Sequence, residues 1–460
     1  MTKELRRLSI LMLFMFLALF ASTSVIQVVQ AEALAENERN TRALYDSYEV
    51  QRGSIIASGA AIANSVASND VYTWQRVYSD GDMWAPVTGY INPVLGSATG
   101  IEQAMNQELS GTASSQFLAR IERIFTGQPP RGSNVELTLD AGIQRAAYEA
   151  LGDLQGAVVA IEPATGRVLA MVTSPSFDTN LLASHNTDEA NTVFDALEAD
   201  PTNPLYNRAI GGDLNPPGST FKLVVASAAL ASGAYTPQST LPNPASYSLP
   251  QSSSVVFNAS GGACGPGDTA IREEAEKYCF NAEFTMPLIS TASSYPRALD
   301  APQTALTGFG QGQVTATPLQ MAMVSAGIAN EGVVMNPRMV DQVIGSDLSV
   351  QQTLENTEFG RALEADIAAQ LVTMMVANVN DGAASGATID GVDVGGKTGT
   401  SENGADRPYT LWFTGFAPAA NPEVAVAVVV EDGGGEGQSG SGNTIAAPIA
   451  KKVMEAVLGR

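Results

Sequence analysis

The sequence predicts an α+β fold in which an antiparallel sheet packs with helices, preceded by a small mixed domain and one membrane-spanning helix. Three observations carry this. An uncharged apolar run occupies the start of the chain. Strand-like segments gather at both ends of the last two thirds, around a helical middle. A Pro- and Gly-rich stretch separates that region from what precedes it.

Lys3, Arg6 and Arg7 precede a run from Leu8 to Val29 that is 22 residues long and contains no charge. About 20 apolar residues cross a bilayer as a helix. Basic residues on the N-terminal flank keep that end in the cytoplasm and place the rest outside. Ala31-Glu32-Ala33 also fits a signal-peptidase site. The run is longer than the roughly 7–15 residues of a signal-peptide core, which favours a retained single-pass anchor in the plasma membrane. Residues 1–33 therefore form the cytoplasmic tip and anchor, and either reading exports the remainder.

Residues 34–135 form a small N-terminal domain of mixed structure, holding Arg52-Gly53-Ser54-Ile55 and a turn-rich Pro86-Val87-Thr88-Gly89-Tyr90. Gly127-Gln128-Pro129-Pro130-Arg131-Gly132 reads as a linker. The second domain, residues 136–460, opens on a strand, because Val135-Glu136-Leu137-Thr138-Leu139 alternates apolar and polar. Asp140 caps a helix from Ile143 to Leu151. Gly156 to Ile161 and Arg167 to Thr173 make a hairpin about the Pro163-Ala164-Thr165-Gly166 turn. Three strands follow late in the chain: Val392 to Thr400, Tyr409 to Phe416, and Val424 to Val430. Pro448 sits in the first turn of a last helix reaching Leu458.

Composition excludes several functions. The net charge is −23 and the pI is near 4.3, so the surface repels phosphates and nucleic acid is not a partner. His185 is the only histidine and lies in a polar stretch that reads as a surface loop. A histidine triad or a His-rich metal site would have to be built around it, and no zinc-ligand spacing exists. Cys264 and Cys279 lie in a compartment that permits a disulfide, with two free thiols as the alternative.

The strongest local signal is Pro216-Pro217-Gly218-Ser219-Thr220-Phe221-Lys222. Prolines cannot lie inside a helix but can precede one. Ser219 then sits in a first turn, and the i,i+3 spacing puts Lys222 on its face. A serine hydroxyl needs a base before it becomes a good nucleophile, and a lysine with a lowered pKa can be that base. Only this one of the six lysines follows a serine at that spacing. The second signal is Val394-Gly395-Gly396-Lys397-Thr398-Gly399-Thr400. Glycines let a peptide backbone approach the strand, Lys397 offers a cation for a carboxylate, and Thr398 offers a hydroxyl.

Ser219-x-x-Lys222 followed by Lys397-Thr398-Gly399 resembles the first and third motifs of the penicillin-recognising serine acyltransferases. Arg52-Gly53-x-Ile55, Leu137-Thr138-Leu139-Asp140, Gly308-Phe309-Gly310-Gln311-Gly312, Thr317-Pro318-Leu319-Gln320-Met321-Ala322 and Trp412-Phe413-Thr414-Gly415-Phe416-Ala417-Pro418 extend the likeness over most of the chain. On these residues the chain resembles a class B penicillin-binding protein, a peptidoglycan D,D-transpeptidase of the short actinobacterial A type. The resemblance implies a penicillin-binding transpeptidase fold for 136–460 and a non-catalytic pedestal or dimerisation role for 34–135. It implies Ser219 as nucleophile, Lys222 as base, and Lys397 and Thr398 as holders of the substrate carboxylate. The backbone N–H groups of Ser219 and Thr400, flanking Gly399, would form an oxyanion hole. Peptidoglycan stem peptides and β-lactams are the implied ligands, and a glycosyltransferase or divisome complex the implied partner. No cofactor and no metal are needed.

One expected element is missing. The family carries a middle S-x-N motif between the other two, and no such triplet lies between Lys222 and Lys397. The nearest match is Cys279-Phe280-Asn281. In one account Cys279 stands in for the serine. In the other, which we favour, a segment is absent and Ala270 to Tyr278 resembles the helix that follows the motif. Cys264 would then lack its usual partner, and a Cys264–Cys279 bond would be an improvised pairing. Three functions follow: an active transpeptidase, a catalytically impaired scaffold for wall synthesis, and a β-lactamase or β-lactam sensor, which the anchor and the long N-terminal region disfavour.

Overall fold

The computed structural model describes residues 2–30, 50–113, 116, 131–212, 214–240, 246–257 and 268–460. Cys264, the Ala31-Glu32-Ala33 triplet and Gly127 to Pro130 lie outside the described residues. The chain begins with helix α1, Thr2–Ser24. A segment long and apolar enough to cross a membrane runs Arg6–Gln27, and none of it is buried.

The elements that position the site follow in order. Strands β1 (Ile55–Ala57), β2 (Ala60–Ala67), β3 (Trp74–Tyr78) and β4 (Asn134–Leu137) come first. Helix α2 (Ala141–Leu151) leads to the hairpin of β5 (Gly156–Ile161) and β6 (Val168–Ser174). Helices α3 (Lys222–Ala231), α4 (Asp268–Lys277) and α5 (Pro318–Ala329) form the middle. Strands β7 (Val340–Ile344) and β8 (Val350–Thr353) and helix α6 (Ala365–Asn380) follow. Strands β9 (Gly395–Ser401), β10 (Thr410–Ala417) and β11 (Val424–Val430) and helix α7 (Ala447–Val457) close the chain.

Two sheets organise these elements. The first sheet has five strands in the order β9-β10-β11-β5-β6, every pair antiparallel. Strand β11 is buried on both faces, which explains its unbroken apolar run. Ala425, Ala427 and Val429 join the core that contains α5, while Val424, Val426, Val428 and Val430 join the core that contains α2 and α7. Helix α5 is apolar all round, and residues 318–328 are all buried, as such a helix must be in a water-soluble domain. Its Thr317 cap accepts from Gln320 N–H. Helix α6 buries Ala368, Leu371, Met375 and Val379 along one stripe and lies against edge strand β9.

The second sheet has six strands in the order β8-β7-β4-β1-β2-β3. Here the structure departs from the expectation for Val135 to Leu139. That strand pairs parallel with β1, Ile55 opposite Val135, and so belongs to the N-terminal sheet. Strands β7 and β8 return from the second half of the chain to complete the same sheet. A cluster of charge lies buried beneath it. Glu102 receives Arg52 Nε at 3.0 Å and Arg76 Nε at 2.6 Å, with all three residues almost fully buried. Tyr78 OH donates to the same carboxylate at 3.3 Å.

Candidate active site

The turn that carries Ser219 is built by residues that leave the chain little choice. Pro216 and Pro217 end any preceding helix, and Gly218 adopts φ +54, a left-handed conformation that suits glycine. Gly218 N–H donates to Gly310 O at 3.0 Å, so the Gly308–Gly312 segment holds the turn from outside. Gly218 to Phe221 form one 3₁₀ turn, and α3 starts at Lys222. The sequence reading placed Ser219 in an α-helical first turn. The tighter turn fits the motif as well, because residues three apart eclipse in a 3₁₀ helix. Ser219 and Lys222 share a face, and both are half-buried. Phe221 is fully buried and locks the turn into the core, stacked on Tyr295 at 5.8 Å.

Strand β9 lies directly against this turn. A Cβ on Gly218 would stand 3.0 Å from Thr400 O and 2.6 Å from Ser401 Oγ. A Cβ on Gly399 would stand 2.8 Å from Pro217 O. The strand begins at Gly395 rather than Val392, because Ile389 and Val392 bridge each other across a turn. Among the described residues only one side of β9 is occupied by a strand, which leaves an edge of the kind that can pair with a peptide. Lys397 is half-buried and donates to Thr398 O at 2.8 Å. Thr398 is buried, and its hydroxyl donates to Ala383 O at 3.0 Å, so its proton is committed within the protein.

In the middle of the site, Cys279 is a fully buried thiol just beyond α4. Burial pushes its pKa up, which keeps it protonated and unreactive. Asn281 is exposed, accepts from Tyr295 N–H at 3.1 Å, and donates its own N–H to Ser293 O at 2.7 Å. Phe280, between them, packs on Phe221. His185 lies in a loop as expected but is not a bare surface residue. Its Nδ1 pairs with Asp70 at 2.5 Å and its ring sits 4.9 Å from Tyr72.

Sequence reasoning missed several residues around the turn. Ser401, Trp412 and Gly310 all touch it, yet each gave no more than a strand or a landmark. The Pro-Pro-Gly lead-in was the available signal, because a segment without N–H groups must be tied by donors from elsewhere.

A serine turn set against an edge strand of a helix-covered antiparallel sheet is the architecture of the penicillin-binding transpeptidases, and comparison with known proteins gives the same class. The profile of the penicillin-binding protein transpeptidase domain matches residues 156–259 and 246–455. The profile of the penicillin-binding protein A dimerisation domain matches residues 52–135. The chain is 38% identical to the peptidoglycan D,D-transpeptidase PbpA of Mycolicibacterium smegmatis, covering 100% of this chain and 99% of the relative. The ceftriaxone acyl-enzyme complex of penicillin-binding protein A from M. tuberculosis superposes with a TM-score of 0.85 at 37% identity, covering 90% of this chain and 100% of that one. The penicillin G acyl-enzyme complex gives 0.83 at 36% identity, covering 89% and 100%. The chain belongs to the penicillin-binding protein transpeptidase family, in the group that includes the PbpA proteins. The transpeptidase match is split, with its pieces meeting at residues 246–259. The alignment with the M. smegmatis protein runs over 493 positions although this chain has 460, so the relative has positions with no counterpart here.

Proposed function

We propose that this chain is a membrane-anchored serine D,D-transpeptidase of peptidoglycan that also binds penicillin. The contact that carries the reading is the packing of the Ser219 turn on Gly399, Thr400 and Ser401. Ser219 Oγ attacks the carbonyl of the D-Ala-D-Ala peptide bond while Lys222 takes its proton. The oxyanion forms against the N–H groups of Ser219 and Thr400. The C–N bond breaks, the terminal D-Ala leaves with a proton, and a neighbouring strand's amine displaces Ser219 to make the cross-link. Lys397 and Thr398 hold the terminal carboxylate, which requires the Thr398 proton to leave Ala383 O. β-Lactams acylate Ser219 as mimics of the same dipeptide. Residues 1–33 anchor the chain, 34–135 form the pedestal, and 136–460 act outside the plasma membrane, beside a glycosyltransferase of the wall-synthesis complex.

A second reading has its own support. No hydroxyl stands at Cys279, its thiol is buried, and the transpeptidase-domain match comes in two pieces that overlap at residues 246–259. Loss of a proton relay costs about 10²–10⁴-fold in rate, which favours an impaired homologue that serves as a wall-synthesis scaffold. Release of D-alanine from a synthetic stem peptide, given an acceptor amine and detergent-solubilised full chain, separates the two. The transpeptidase releases it and Ser219→Ala does not, whereas the scaffold releases none.

A further inference from the structure

Pro216 and Pro217 have no N–H, so beyond the Asn215 side chain, which accepts from Thr410 Oγ1 at 3.3 Å, the lead-in to Ser219 is tied to the sheet through its carbonyls. The structure ties one of them twice. Pro216 O accepts from Ser401 Oγ at 2.6 Å and from Trp412 Nε1 at 3.0 Å. Both donors are fully buried, and they come from adjacent strands of the five-stranded sheet. Ser401 follows Thr400, and Trp412 is the register partner of Gly399. The Pro217 carbonyl is in turn held by Thr220 Oγ1 at 2.6 Å.

Resting on the transpeptidase reading above, we infer that Ser401 and Trp412 are positioning residues for acylation, which fix the separation of the two oxyanion donors. Those donors, Ser219 N–H and Thr400 N–H, come from different elements, a turn and a strand. Each must reach the same oxygen within about 2.7–3.1 Å. Nothing covalent nearby sets their spacing. The shared Pro216 carbonyl does, because it lies three residues before Ser219 and one donor to it adjoins Thr400. Neither side chain needs to touch substrate for this. Buried away from water, the two bonds hold the turn stiffly, and a shift of about 1 Å in such a site can cost 10²-fold in rate.

The test is the kinetics of fluorescent-penicillin acylation on the detergent-solubilised full chain, comparing Ser401→Ala, Trp412→Phe and the double variant. Trp412→Phe removes the N–H while keeping most of the ring. The inference expects each single variant to reach the full labelled fraction, with an unchanged non-covalent binding constant and an acylation rate constant reduced about tenfold. The double variant falls by more than the product of the two, because only it leaves the shared carbonyl bare. Acylation rates within twofold of wild type for both single variants would overturn the inference. So would a lower melting temperature and labelled fraction with an unchanged rate per folded molecule. Wild-type protein that is folded yet never labelled overturns the transpeptidase reading instead, and the inference with it.

Discussion

Phe221, the residue before Lys222, packs edge-on against Phe280, with ring centroids 5.4 Å apart and planes at 80°. The Ser219 turn thus rests on the centre of the Cys279-Phe280-Asn281 segment. That segment supplies no hydroxyl, yet it still forms the floor of the turn. Phe280→Ala should cost about 3–5 kcal/mol by opening a cavity beneath the turn, and acylation by penicillin should slow as well. Thermal unfolding and labelling rate measured on one preparation check both halves.

Gly218 is tightly constrained in the site. Alanine there meets φ +54 and a contact of 2.6 Å with Ser401 Oγ. The left-handed backbone alone costs about 1–2 kcal/mol. Gly233 has φ +69 with nothing within 4 Å, so Gly233→Ala carries the strain without the collision. Gly218→Ala is expected to abolish labelling by penicillin, and Gly233→Ala to lose stability only.

Glu102 holds Arg52 and Arg76 in the buried interior of the N-terminal domain. Burial pushes its carboxyl up, but the two guanidiniums outweigh this and hold it below the usual range. Glu102→Gln leaves two buried cations without their counter-ion and should destabilise the chain by about 3–5 kcal/mol. Denaturant unfolding followed by tryptophan fluorescence measures this, since Trp84 is fully buried in the same domain.

Glu274 works in the opposite sense. It is buried on α4, Oε2 meets Lys277 Nζ at 3.1 Å, and Oε1 has no hydrogen-bond partner among the described residues. Burial raises its pKa above the unfolded value. The folded state therefore binds the proton more tightly, and stability falls as pH rises through this group's range. Glu274→Gln should raise the melting temperature at pH 7 by about 2–4 °C, with the difference shrinking as pH falls toward 4. Equal melting curves at both pH values would refute this assignment.

The hairpin of β5 and β6, the capped helix α2 and the late strands β10 and β11 were legible, because each carries its own period and its own boundary residues. Asp140, for example, accepts from Gly142 and Ile143 N–H, as a helix cap does. The return of β7 and β8 to the N-terminal sheet was not legible. Their short alternating runs fit any half-buried sheet, and nothing local names the partner strand. The motif residues Ser219, Lys222 and Lys397 were found by spacing. Ser401 and Trp412 were not, because a donor to a distant proline carbonyl leaves no periodic mark. The pairing of His185 with Asp70 is equally non-local, spanning 115 residues.

The proposed transpeptidase forms one covalent bond with penicillin, through the Ser219 oxygen. Intact-protein and peptide mass spectrometry of the folded full chain after exposure to penicillin G tests it most directly. The account predicts one adduct of the whole drug on the peptide containing Ser219, absent from Ser219→Ala. An unmodified chain, or an adduct on any other residue, would contradict it.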